Sequence, residues 1–134
     1  MNYYLKDIAD YLATQNITGV TIDFYQPDKS SQVALLSQGG ETFPDQHFCV
    51  FDFQILVTYD QTNRKQARET ANQIYHLLNN KQGKLIAGND SVHFLKILAT
   101  QPPYFLGLNS AGLSEFTTLY RATAKDYDLG TIYY

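Results

Sequence analysis

The residues best suited to chemistry are few and scattered. His47 and Cys49 stand two positions apart, so on a strand they would share a face, and an imidazole beside a thiol can generate a nucleophilic thiolate. The surrounding run FCVFDF opposes that chemistry, because apolar surroundings raise a thiol pKa. Cys49 is therefore expected as a small core side chain, and a small cytosolic enzyme using Cys49 and His47 stands as the alternative from a different functional class.

His47, His76 and His93 fall in three separate segments, without the His-x-x-x-His spacing that sets two metal ligands on one helical face. Gly39 and Gly40 in QGGETF begin like a phosphate loop, but neither a following Lys-Ser/Thr nor a GxGxxG pattern is present, and a turn is the better reading. Asp52 and Gln54 share a strand face; one carboxylate beside an amide is not the carboxylate pair of acid/base hydrolysis. No catalytic, cofactor-binding or metal-ligating residue is assigned, and a protein that does no bond chemistry is expected.

The elements around these residues are clearer. Residues 3 to 15 place Tyr4, Leu5, Ile8, Tyr11 and Leu12 on one helical side, with Lys6, Asp7 and Asp10 left for water. Val20 to Phe24 and Gln32 to Leu36 read as short strands around a turn at Gln26 to Lys29, succeeded by a loop, Gln38 to Gln46. Phe48 to Tyr59 is the strongest strand: Cys49, Phe51, Phe53, Ile55, Val57 and Tyr59 alternate with a second face that is only partly apolar. That mixture predicts a long central strand whose second face is covered along part of its length.

Asp60, Thr62 and Asn63 supply helix-starting side chains, and Ala67, Ala71, Ile74, Leu77 and Leu78 form the stripe of the next helix, which ends at Asn79, Asn80 and Gly83. Val92 to Ala99 is a strand, Pro102 to Leu108 a turn, and Ser114 to Lys125 the last long strand. These elements imply an α+β fold: a mixed, mainly antiparallel sheet of four to six strands carrying an N-terminal helix and one long central helix. Residues 1–134 read as one domain, with 127–134 as a C-terminal arm.

Composition narrows the partners. Ten basic against thirteen acidic residues give a net charge of −3, too little positive charge for sequence-specific nucleic-acid binding. No segment has the length or apolarity of a membrane span or a signal peptide, so a cytosolic, membrane-free protein is expected. Eleven Tyr and eight Phe without Trp suit surfaces that are wet in one state and buried in another, as subunit interfaces are.

The segments VALLSQGGETFPDQ, FCVFDFQILVTYDQ, ARETANQIYHLLNN and QPPYFLGLNSAGLSEFTTLYRAT occur in an order that resembles the phage tail terminator family, the minor capsid or tail completion proteins of long-tailed phages. Gly39 and Gly40 match its loop glycines, Ile74, Tyr75 and Leu78 its helix, and Pro103, Leu106 and Gly107 its turn. That turn often continues with an acidic residue in the family, where this chain has Asn109. The resemblance implies a structural, cofactor-free protein of a virion or prophage that closes the finished tail tube as a homohexameric ring. Its partners would be itself, the major tail tube protein and the head-connector or head-completion protein. It would be found in the bacterial host cytoplasm during assembly and then at the neck of the virion. A tail tube or head-completion subunit is the alternative within the same class. The interface is expected at Gly39, Gly40, Glu41 and Phe43 of the first loop, at Pro103, Tyr104, Phe105 and Leu106 of the turn, and at Ile132, Tyr133 and Tyr134 of the C-terminal arm.

Overall fold

The computed structural model describes residues 2–43, 48–83 and 92–126. The elements, in chain order, are α1 (Asn2–Thr14), β1 (Val20–Ile22), β2 (Ser31–Phe43), β3 (Phe48–Tyr59), α2 (Arg64–Leu78), β4 (Lys81–Gly83), β5 (Val92–Ala99), β6 (Tyr104–Leu108) and β7 (Ser114–Asp126), with a 3-10 turn at Gln61–Asn63 ahead of α2. The strands form one sheet in the order β1-β2-β3-β7-β5-β4, with β6 also paired to β7. Only β1 with β2 is parallel; every other pair among the described strands is antiparallel. The fold is α+β, as expected, and the described residues hold seven strands because two short ones, β4 and β6, occupy segments whose sequence reads as helix end and turn.

Both helices lie on one sheet face. Leu5, Ile8, Tyr11 and Leu12 of α1 are buried, and Tyr4 stacks on Phe51 at 5.5 Å. Asp7, expected in water, is also buried. Ala67, Ala71, Ile74 and Leu78 of α2 are buried, and the two alanines allow the helix a close approach to the sheet. Beneath the helices the odd residues of β3 from Cys49 to Val57 meet the even residues of β7: Phe53 lies opposite Tyr120, and Phe51 opposite Ala122. The Phe53 and Tyr120 rings stack at 5.1 Å.

The start of α2 is set by Asp60, whose carboxylate accepts from the Asn63 backbone N–H at 3.0 Å and from the Thr62 hydroxyl at 2.7 Å. At the other end Asn79 turns the chain out of the helix. Its Oδ1 accepts from the Ala99 backbone N–H at 2.9 Å, and the next N–H, of Asn80, bonds to the Ile97 carbonyl at 2.8 Å, which lays β4 along β5.

Two expected loops are strands. β2 continues through Gly39 and Gly40 to Phe43, pairing Gly40 with Phe51 and Phe43 with Phe48 after a bulge between Ser37 and Gly40. Gly39 sits in that bulge at φ +101, a conformation that favours glycine; the pair of glycines marks a bulge, not a turn. The stretch after Pro102 and Pro103 is likewise a strand, β6, which has a bulge between Phe105 and Gly107. The first strand, in contrast, ends at Ile22 because Asp23 takes a left-handed φ of 53.

Candidate interaction surface

The second sheet face carries the features left unexplained by the core. Residues paired across it share a side, so the rows can be read from the register: Gln32, Thr58 and Glu115, then Ala34, Leu56 and Thr117 with Tyr104 beside it, then Leu36, Gln54 and Leu119, then Asp52, Arg121 and Leu98. The first two rows are buried apart from Tyr104, and the later rows open to water. Coverage is therefore partial, as expected from the mixed face of β3, and the covered part is the Leu56 to Thr58 end.

A polar lock does the covering. The Tyr25 hydroxyl donates to Glu115 Oε2. The same oxygen accepts from Asn109 Nδ2 at 3.2 Å and from Thr58 Oγ1 at 3.3 Å. Asn109 Nδ2 also reaches the Pro27 carbonyl at 2.7 Å and the Tyr25 hydroxyl at 3.0 Å. Gln32 donates to the Gln26 carbonyl and accepts from the Gln26 N–H at 3.2 Å. Burial, and then the bond to Glu115, pushes the Tyr25 phenol above its ordinary value. The segment from Tyr25 to Pro27 is thus tied to the sheet and to the β6–β7 turn through side chains that all satisfy one another.

Beyond the lock the face is open. Arg121 spans to Asp52 with two bonds, Nε to Oδ1 at 2.8 Å and Nη2 to Oδ2 at 3.1 Å, between the apolar side chains of Leu119 and Leu98. β6 lies along the same edge of β7 as β5, at the opposite end. Tyr104, Phe105, Leu106 and Leu108 are between 41% and 50% exposed, although Phe105 packs on Phe116 at 5.3 Å and lies under the Arg64 guanidinium at 4.5 Å. Large apolar groups concentrated on one short strand are the kind of surface that marks an interaction site.

Of the expected interface residues, Pro103, Tyr104, Phe105 and Leu106 come together on and just before β6, while Gly39, Gly40, Glu41 and Phe43 lie along β2 on the far side of β3 and β7. Ile132, Tyr133 and Tyr134 lie outside the described residues, as does His47. Sequence reasoning missed Leu98 and Leu119, although Leu119 breaking the polar face of the last strand was their visible signal. It also missed Glu115, an apparently wet-face acid that is buried.

Cys49 is buried on the helix-covered face, and burial pushes its thiol upward, away from thiolate. It is expected to resist alkylation in the native protein and to react on unfolding; rapid native labelling would restore the thiol-enzyme alternative. Among the described residues no group of three or more His, Cys, Asp or Glu side chains could hold a metal ion, and no helix is long and apolar enough to cross a membrane.

No protein-family model and no curated protein matches the chain. Among solved structures it is similar to a chain of the virion of the native gene transfer agent (GTA) particle, with a TM-score of 0.60 and 19% identity, over 85% of this chain and 84% of that one. At that identity the likeness is one of fold.

Proposed function

We propose that this chain is a structural protein of a phage-like virion that closes the completed tail tube as a homo-oligomeric ring of six copies and joins it to the head connector. The observation that carries the reading is the shared fold with a virion chain over nearly the full length of both. The order of motifs that resembles the tail terminator family supports the same reading and is what selects the tube-capping position. A ring needs heterologous contacts, in which each subunit presents two different patches; β6 and the far end of β2 lie on opposite sides of the β3–β7 centre and fit that need. The partners would be other copies of the chain, the major tail tube protein and a head-completion protein.

Native mass measurement with and without purified tail tubes tests the ring. A discrete closed oligomer, in solution or on the tube end, is expected; a chain that stays monomeric and does not associate with tubes would overturn it. Open filaments of the chain alone would point instead to a tube subunit.

The β6 surface has its own expected outcome. Tyr104→Glu combined with Leu106→Glu should weaken self-association or tube binding at least tenfold. Because both residues are about half exposed, folding stability should move by only about 0.5 kcal/mol per site. Sedimentation velocity and thermal melting of the same samples separate the two effects.

A further inference from the structure

We propose that the outer edge of β6 and the start of α2 form one docking strip for an extended acidic segment of a partner protein, which adds to the sheet as a further strand and sets its carboxylates against Arg64 and Arg68. The inference rests on the assembly role proposed for the chain and deepens it by stating the chemistry of the segment that β6 receives.

Proteins shield sheet edges with brevity, charge, proline or bulges, because an open edge recruits other strands. Among the described strands, β1 and β4 are three residues each, β4 opens with Lys81, and the part of β2 beyond β1 carries the bulge between Ser37 and Gly40. β6 is longer, contains no charged residue and, among the same strands, pairs with β7 alone. Its register divides its side chains between two surfaces: Phe105 and Leu108 pair with Phe116 and Ser114 on the helix-covered face, and Tyr104 pairs with Thr117 on the other. All three are between 41% and 49% exposed. The bulge between Phe105 and Gly107 leaves a further apolar residue, Leu106, half exposed.

The charge of the occupant follows from α2. Arg64 and Lys65 open that helix, where the backbone dipole favours acidic side chains over basic ones, so helix stability does not account for them. Lys65 is paired with Glu69 at 3.9 Å, and the Asp60 carboxylate is engaged by Thr62 and Asn63. Among the described residues neither Arg64 nor Arg68 has a carboxylate within ion-pair distance. Arg64 is held by other means: its guanidinium lies 4.5 Å over the Phe105 ring and its Nε donates to Ser114 Oγ at 3.3 Å. Arg68, one turn further on, shares that side of the helix. A strand added to β6 would run about 4.8 Å outside it. Alternation would set every second side chain of that strand beside Phe105 and Leu108, near the two guanidiniums, and the rest beside Tyr104. Carboxylates in the first set and apolar groups in the second match both surfaces, since a guanidinium takes a carboxylate through two parallel hydrogen bonds. Main-chain bonds to the edge supply affinity and the alternating side chains supply selectivity.

Fluorescence polarisation with labelled octapeptides and the full-length chain tests this. Alternating Val and Glu is the strand-forming acidic probe, alternating Pro and Glu keeps the carboxylates without the strand hydrogen bonds, and alternating Val and Lys reverses the charge. The Val-Glu peptide is expected to bind saturably, at least tenfold tighter than either control, and to weaken as salt rises. Arg64→Gln with Arg68→Gln, shown to melt like the parent, should lower that affinity at least tenfold, and in the parent the amide NMR signals of Tyr104 to Leu108 should shift on binding. No saturable binding, equal binding of the Pro-Glu peptide, or an affinity that survives loss of both arginines overturns the inference, as do shifts confined to another strand. A single-stranded oligonucleotide that binds tighter than the peptide with the same arginine dependence would make the strip a phosphate site and overturn a protein occupant. Peptide binding by a chain that neither self-associates nor meets tubes would leave the strip and sink the assembly role, whereas rings that cap tubes without any peptide binding would do the reverse.

Discussion

Asn109→Asp is expected to destabilise the fold by about 2–3 kcal/mol, a large effect for exchanging one amide nitrogen for oxygen. The Asn109 side chain is oriented by its partners: Oδ1 accepts from the backbone N–H groups of Ala111 and Leu113 at 2.9 and 3.0 Å, and Nδ2 donates to Pro27, Tyr25 and Glu115. Aspartate keeps the acceptor half. It loses every donor bond and sets a second carboxylate against Glu115, which is only 6% exposed. Two adjacent carboxylates resist joint ionisation, so the carboxyl pKa of the variant rises on folding. A group raised in this way costs stability once pH exceeds its unfolded value, and the cost fades as pH falls. Urea unfolding should therefore show the full deficit near pH 7 and a smaller one near pH 4; equal stability at pH 7 would mean the lock contributes nothing.

Phe53→Ala should be costlier still, about 3–5 kcal/mol, lowering Tm by ~10–15 °C. Phe53 is fully buried at the centre of the sheet, stacked on Tyr120 and 5.9 Å from Phe51. Both neighbours are held in paired central strands, so the cavity has little scope to collapse. Thermal or urea unfolding measures the loss, and a cost below about 1.5 kcal/mol would show that the core relaxes around the gap. Phe53→Leu, which refills much of the volume, should recover a large part of it.

How much of this was legible from residues alone depends on whether a local pattern or a distant partner made the decision. β3, β5, β7 and α2 are visible because every second residue from Cys49 to Tyr59 is apolar, Ala67, Ala71, Ile74 and Leu78 recur at helical spacing, and Asp60 caps the turn that leads into α2. The strand in β2 beyond Ser37 is hidden because Gly39 and Gly40 speak for a turn, and only pairing with Phe48 to Phe51 overrides them. β6 is hidden for a similar reason: Pro102 and Pro103 mark a break, YFLGL does not alternate, and the strand exists because β7 offers it an edge. Leu95, exposed in a strand whose alternation should bury every second residue, is displaced by a bulge between Phe94 and Lys96.

The exposed apolar surface on β6 was legible by segment more than by residue. An aromatic-rich stretch after two prolines pointed to Tyr104, Phe105 and Leu106, and these are exposed together. The buried state of Glu115 could not be read locally, since alternation assigns it to the wet face and the partner that closes over it, Tyr25, lies 90 residues earlier in the chain. The split of the second face into a locked end and an open end bears on the proposed assembly role, because it leaves Leu119, Leu98 and Tyr104 accessible on that face.

In the proposed function the chain stops a growing tail tube by closing on its end. This is tested most directly by adding the purified chain to elongating tubes of the cognate major tail tube protein and measuring tube length and end structure by electron microscopy. Elongation should halt at substoichiometric amounts of the chain relative to tube subunits, with a ring on one end of each tube. Tubes that keep lengthening at saturating chain, or that incorporate it along their length, would rule out a tube-capping role.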